Sequence, residues 1–74
     1  VLEAYEEGLK SLNEGDAIFA AKKFNEAETL FPQSEWAPKS SLMAAYSFYS
    51  QDYYEDAILE LQRFIKVYSF SFAI

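Results

Sequence analysis

Two stretches of the chain are the same pattern written twice. NEGDAIFAAKKFNEAETLFP (Asn13 to Pro32) and SQDYYEDAILELQRFIKVYS (Ser50 to Ser69) superpose at an offset of 37 residues, with Ala20 on Ala57, Phe24 on Leu61 and Ala27 on Phe64. The same offset sets Gly8 on Ala45 and Leu12 on Tyr49. A fixed period of this length means stacked supersecondary units, because one such unit cannot cover its own apolar face and needs a neighbour to do so.

Each unit reads as two amphipathic helices. Leu2, Tyr5, Leu9 and Leu12 recur at helical spacing beside a stripe of small residues, Ala4, Gly8 and Ser11, that admits a second helix at close range. Asn13-Glu14-Gly15-Asp16 then supplies a helix-ending glycine and an N-capping aspartate with almost no loop between them. The second helix is expected to carry Ala17, Ala20, Ala21, Phe24, Ala27 and Phe31 inward and to stop at Pro32, whose ring cannot continue the turn. Gln33 to Trp36 form the expected connector, and Pro38 falls in the first turn of the next helix, where its missing N–H costs nothing. Leu42, Ala45, Tyr46 and Tyr49 resume the apolar spacing. In Asp52-Tyr53-Tyr54-Glu55 the aspartate is expected to cap the fourth helix while Glu55 reaches back to it, as in a capping box. The fold class is therefore all-α, with four antiparallel helices in two helix-turn-helix units spanning 1–32 and 33–68, followed by an apolar tail, 69–74, that could extend the last helix.

Gly8, Gly15-Asp16, Ala20, Phe24, Ala27 and Pro32 resemble the tetratricopeptide (TPR) signature of small, aromatic and proline positions. The first unit keeps the usual spacing of about 34 residues. The second carries three extra residues in its connector and has Ser69 where the closing proline would stand. Within this class, LFPQSEWAPKSSLMAAYSFYSQDYYEDAILELQRFIKVY (Leu30 to Tyr68) is similar to the BamD family of outer-membrane lipoproteins of the β-barrel assembly complex. The Phe-Pro-x-Ser-x-Trp-Ala connector, the Ala-Tyr-x-x-Tyr run and the closing Arg-Phe-Ile carry the similarity, over residues 5 to 68. The resemblance implies a protein-interaction scaffold on the periplasmic side of the outer membrane of a Gram-negative bacterium. Its partners would be β-barrel assembly subunits and unfolded outer-membrane protein segments, and it would meet the membrane only through a lipid anchor outside this chain. The connector is also similar to that of CpoB-like periplasmic TPR proteins of the cell-envelope constriction machinery, and a generic TPR peptide-binding module is the third reading.

Catalysis has little to work with. Histidine and cysteine are absent, which removes the commonest general base, the thiol nucleophile and the usual structural zinc ligands. Glu3 with Glu7, and Asp56 with Glu60, lie one turn apart in the pattern of solvated helix faces, so no catalytic residue, metal or cofactor is expected. A net charge of −6 disfavours nucleic acid and anionic membrane surfaces.

Aromatic residues make up 19% of the chain, more than the core of so small a domain needs, so some are candidates for a binding face. By the TPR resemblance, the first helix of each unit lines a concave groove. That frame assigns Tyr5, Leu9 and Leu12, with Leu2, to the groove from one unit, and Lys39, Leu42, Tyr46 and Tyr49 from the other. For Tyr5, Tyr46 and Tyr49 the competing assignment is the core. Related modules that grip a C-terminal carboxylate use Lys and Asn where this chain has Tyr5 and Leu9, so an apolar or aromatic peptide is the expected ligand. Trp36, flanked by Pro32 and Pro38, either closes the end of the stack or contacts a partner.

Two units are few for a stacked array, and Ile58, Leu61, Ile65, Tyr68 and Phe72 form a seam at three- and four-residue steps. The expectation is a symmetric homodimer in which the last helix and tail of each chain cover the open end of the other.

Overall fold

The computed structural model describes residues 2–72, with side chains as far as Tyr68. Four helices run in order, α1 (Leu2–Asn13), α2 (Ala17–Leu30), α3 (Trp36–Ser50) and α4 (Tyr54–Phe72), and no strand occurs among the described residues. Each packs on the next, α1 on α2, α2 on α3 and α3 on α4, the serial arrangement of a TPR-like fragment.

The 37-residue offset holds in the backbone of the turns. At the first hairpin the Asp16 N–H donates to the Ser11 carbonyl (2.9 Å) and the Gly15 N–H to that of Leu12 (3.0 Å), with Gly15 at φ +82°. This is a Schellman closure, which requires a left-handed residue just past the helix end. At the second hairpin the Tyr53 N–H donates to the Phe48 carbonyl (2.9 Å) and the Asp52 N–H to that of Tyr49 (3.1 Å), with Asp52 at φ +67°. Asp52 therefore occupies the position of Gly15, and Tyr53 that of Asp16. This corrects the expected capping box: Asp52 sits one residue too early to cap α4, and its carboxylate accepts the Tyr54 hydroxyl instead (2.8 Å). Only the first hairpin has the expected cap, with the Asp16 carboxylate accepting the Phe19 N–H (3.1 Å).

Between the units, Ser34 does the capping. Its hydroxyl accepts the Trp36 N–H (3.2 Å) and donates to the Phe31 carbonyl (2.8 Å), and the Ala37 N–H donates to its carbonyl (3.2 Å). Trp36 is thus the first residue of α3 rather than the last of the connector.

The core is built around one ring. Phe24 is fully buried among Ala20, Ala21 and Ala44, with Tyr5, Leu12, Met43 and Phe48 packed around them. Small residues on the facing helices make this possible: Ala4, Gly8 and Ser11 are the buried positions of α1, and Ala37, Ser40, Ser41, Ala44, Ala45 and Ser47 those of α3. Phe31 is not part of this core. The backbone leaves the helix at Leu30, Phe31 takes φ −137° and ψ 67°, and the side chain turns out to 46% exposure. Leu61, the repeat equivalent of Phe24, is 41% exposed, because among the described residues α4 packs against α3 on one side and has no further helix on the other.

Candidate functional site

With α3 burying alanines and serines and packing Met43 and Phe48 against the core, its Leu42, Tyr46 and Tyr49 side chains are left exposed. Leu42, Met43, Ala45, Tyr46 and Tyr49 of α3, with Leu61 of α4, line a surface depression of about 380 Å³. Its rim is open: Tyr46 is 54% and Tyr49 60% exposed. The Tyr49 ring lies 5.5 Å from that of Tyr54 across the α3–α4 turn, which extends the aromatic surface beyond the depression. Such a surface offers area to an apolar segment while its tyrosine hydroxyls remain available for hydrogen bonds.

The residues anticipated for a groove divide into two groups. Leu42, Tyr46 and Tyr49 come together in the depression. Tyr5 and Leu12 belong to the core side, Tyr5 edge-on to Phe24 at 5.2 Å and to Trp36 at 5.1 Å. Leu9 is exposed and does not line the depression. Lys39 holds its ammonium 4.9 Å from the centre of the Trp36 ring, so both residues are engaged within the chain, and Phe24, Tyr5, Trp36 and Lys39 form one continuous stack from core to surface.

A second cluster was not evident from spacing. The Arg63 guanidinium reaches from α4 to Glu28 of α2 in a forked pair (2.7 and 3.1 Å) and also donates to Ser41 of α3 (3.1 Å), Asn25 (3.4 Å) and Glu60 (3.3 Å). Asn25 donates to Glu60 (3.3 Å), and the Tyr68 hydroxyl donates to Glu28. Hydrogen bonding to Glu28 holds Arg63 firmly in its charged form, against the opposing effect of burial. Burial, with the hydrogen bond to Glu28, pushes the Tyr68 phenol up to about 12. Glu28 is 9% exposed and stands on the apolar stripe of α2, four residues after Phe24 and seven after Ala21. A carboxylate on a core-facing stripe was the one sequence sign of this joint. Its chemistry is that of a tether between units: arginine stays protonated and offers donors only. No cluster of metal-binding side chains occurs among the described residues, and none of their helices is long and apolar enough to cross a membrane.

A family model described as outer membrane lipoprotein (YfiO) matches residues 1–72. The outer membrane protein assembly factor BamD of Caulobacter vibrioides is 38% identical over 64 residues, which cover 86% of this chain and 21% of that relative. No solved structure matches.

Proposed function

The chain belongs to the outer membrane lipoprotein family, and from that premise we propose that it is a non-catalytic docking segment of an outer membrane protein assembly factor. It is a protein of the periplasmic side of the outer membrane. The assembly role named for the Caulobacter relative supports the reading, although the chain spans 21% of that relative's length. So does the absence of histidine and cysteine from the sequence, which leaves binding as the simplest use of its surface.

One observation carries the proposal: two tyrosines more than half exposed stand at the rim of an apolar depression on α3 and α4. In this reading an unfolded outer-membrane protein segment, rich in aromatic and aliphatic side chains, lays one apolar face into the depression, and the tyrosine rings cover it from the sides. Partner subunits of the assembly machinery, and a second copy of the chain, are further occupants of its surface in the same proposal.

The test is fluorescence titration of a labelled aromatic-rich peptide of about ten residues, the length of one membrane-spanning strand. Replacing Tyr46→Ala and Tyr49→Ala together is expected to weaken binding at least roughly tenfold. The melting transition should hardly move, because exposed side chains contribute little to folding. Unchanged affinity in the double variant would remove the depression from consideration.

A further inference from the structure

The polar joint runs in step along two helices. Asn25 and Glu28 of α2, three residues apart, meet Glu60 and Arg63 of α4, also three apart. Asn25 donates to Glu60 (3.3 Å) and Arg63 forks onto Glu28 (2.7 and 3.1 Å). Both pairs span 35 residues, so α2 and α4 run parallel in one fixed register. Apolar packing does not hold these two helices together, because the pairs that pack broadly are α1 on α2, α2 on α3 and α3 on α4.

The surface on which α4 rests offers little else to fix its angle. Helix α3 buries Ala37, Ser40, Ser41, Ala44, Ala45 and Ser47. Among the described residues α4 buries Ala57 and one large ring, Phe64. Crossing angles are set where ridges of side chains interlock with grooves. Alanines and serines admit a close approach but raise only low ridges, and a single ring acts as a pivot. The guanidinium supplies the direction that packing lacks. It donates at once to Glu28 of α2 and, at 3.1 Å, to the buried Ser41 of α3, and its planar fork tolerates little rotation.

We propose that this joint sets the angle and register between the two helical units, a device of conformational specificity separable from its effect on stability. A slip of α4 by one turn sets Leu59 or Val67 against Glu28, and a carboxylate only 9% exposed then faces an apolar side chain. That cost removes the neighbouring registers. A swing about Phe64 opens the fork to Glu28 and strains the bond to Ser41. The way unit two sits on unit one, and with it the curvature of the stack, follows from the side chains at 25, 28, 41, 60 and 63.

The chain has no cysteine, so introduced pairs take spin labels cleanly. Ile18→Cys and Glu55→Cys place labels at exposed, repeat-equivalent positions in the first turns of α2 and α4. Glu55 lies eight residues, about 12 Å, from Arg63, so a swing of about 15°, the ordinary scatter within a packing class, moves it by about 3 Å. Dipolar distance measurement should give one narrow peak for the original joint. In Glu28→Leu with Arg63→Leu the peak should broaden or move by about 3 Å, while helical circular dichroism and most of the stability are kept. Arg63→Met should broaden it as well. A control pair, Lys10→Cys with Lys22→Cys, reads α1 against α2 and should not respond. An unchanged narrow 18–55 distance in the leucine variant overturns the proposal, since packing alone then fixes the angle. So does a distance that broadens only together with lost helicity, or a control pair that loosens equally.

Discussion

A Cβ built on Gly8 would lie 2.8 Å from Phe24 Cε1 and 2.9 Å from both Cδ1 and Cζ. The ring it would strike is fully buried and hemmed in by α1, α2 and α3, so the approach of α1 to α2 depends on the missing side chain. Gly8→Ala ought to stabilise an isolated helix by up to about 1 kcal/mol. Here the overpacking term of about 1–3 kcal/mol works against it and wins. Denaturant unfolding should show Gly8→Ala less stable by about 1–2 kcal/mol net. Combining it with Phe24→Leu should cost less than the two changes added, because they share one site. A more stable Gly8→Ala protein would mean that the ring is free to move.

The two hairpins fill the same left-handed backbone position with different residues, and the difference is open to exchange. Gly15 and Asp52 hold equivalent left-handed conformations, φ +82° and +67°, and a Cβ on Gly15 would have nothing within 4 Å. Steric room is therefore not at stake, only the conformational cost of a side chain at positive φ. Asp52→Gly should stabilise the chain and Gly15→Asp destabilise it, each by about 0.5–1 kcal/mol, read from the shift of the denaturation midpoint.

Removing the guanidinium at position 63 leaves Glu28 on a buried stripe without its forked partner. Arg63 is itself 40% exposed at the side chain, so the loss is smaller than for a wholly buried pair. Arg63→Met should destabilise by about 1–3 kcal/mol, the scale of hydrogen bonds to a charged group. Arg63→Lys should rescue little, because an ammonium cannot reproduce the fork to Glu28 while also reaching Ser41 and Glu60. In Glu28→Leu with Arg63→Leu, much of the loss should return, since no buried charge is then unpaired. Equal stability for Arg63→Met and the original chain would show the tether to be ornamental.

The Tyr68 phenol gives the same joint a pH dependence. Its value is raised from 10.0 to about 12, so the fold favours the neutral, proton-donating form. The unfolded chain gives up that proton at lower pH than the folded one. The stability contributed is therefore full below pH 10.0 and is lost as pH rises through about 12. Spectrophotometric titration of phenolate absorbance should show one tyrosine ionising late, and Tyr68→Phe should remove that late step. Tyr68→Phe should also flatten part of the fall in stability over the same alkaline interval. A late step that survives the substitution would assign it to another ring.

What could be read from the chain in advance was what local chemistry controls. Helical spacing, the Gly15-Asp16 turn, the stop at Pro32 and the 37-residue offset each act through a turn or two of backbone, and they yield the all-α fold and the order of the helices. Asp52 stands one position before the N-cap of α4: aspartate is favoured both as an N-cap and as a left-handed residue, and local preference does not choose between the two. The composition of α3 likewise does not announce that its alanines and serines face inward and its tyrosines outward. That depends on how closely α2 and α4 approach it, as does the difference between Tyr5, drawn in beside Phe24, and Tyr46, left at the rim of the depression.

The repeat equivalence of Phe24 and Leu61 separates the two kinds of information. By sequence they hold one position in two copies of a pattern, each four residues after an alanine. In the structure one is wholly buried and the other 41% exposed. Burial is a property of how many helices surround a position: α2 has one packed on each side, whereas α4, among the described residues, packs broadly on α3 and reaches α2 only through polar side chains such as Arg63 and Tyr68. The joint of Glu28, Arg63, Ser41 and Tyr68 shows the same limit from the polar side. Its members come from three helices, and only their packing brings a guanidinium on α4 within 2.7 Å of a carboxylate 35 residues earlier in the chain.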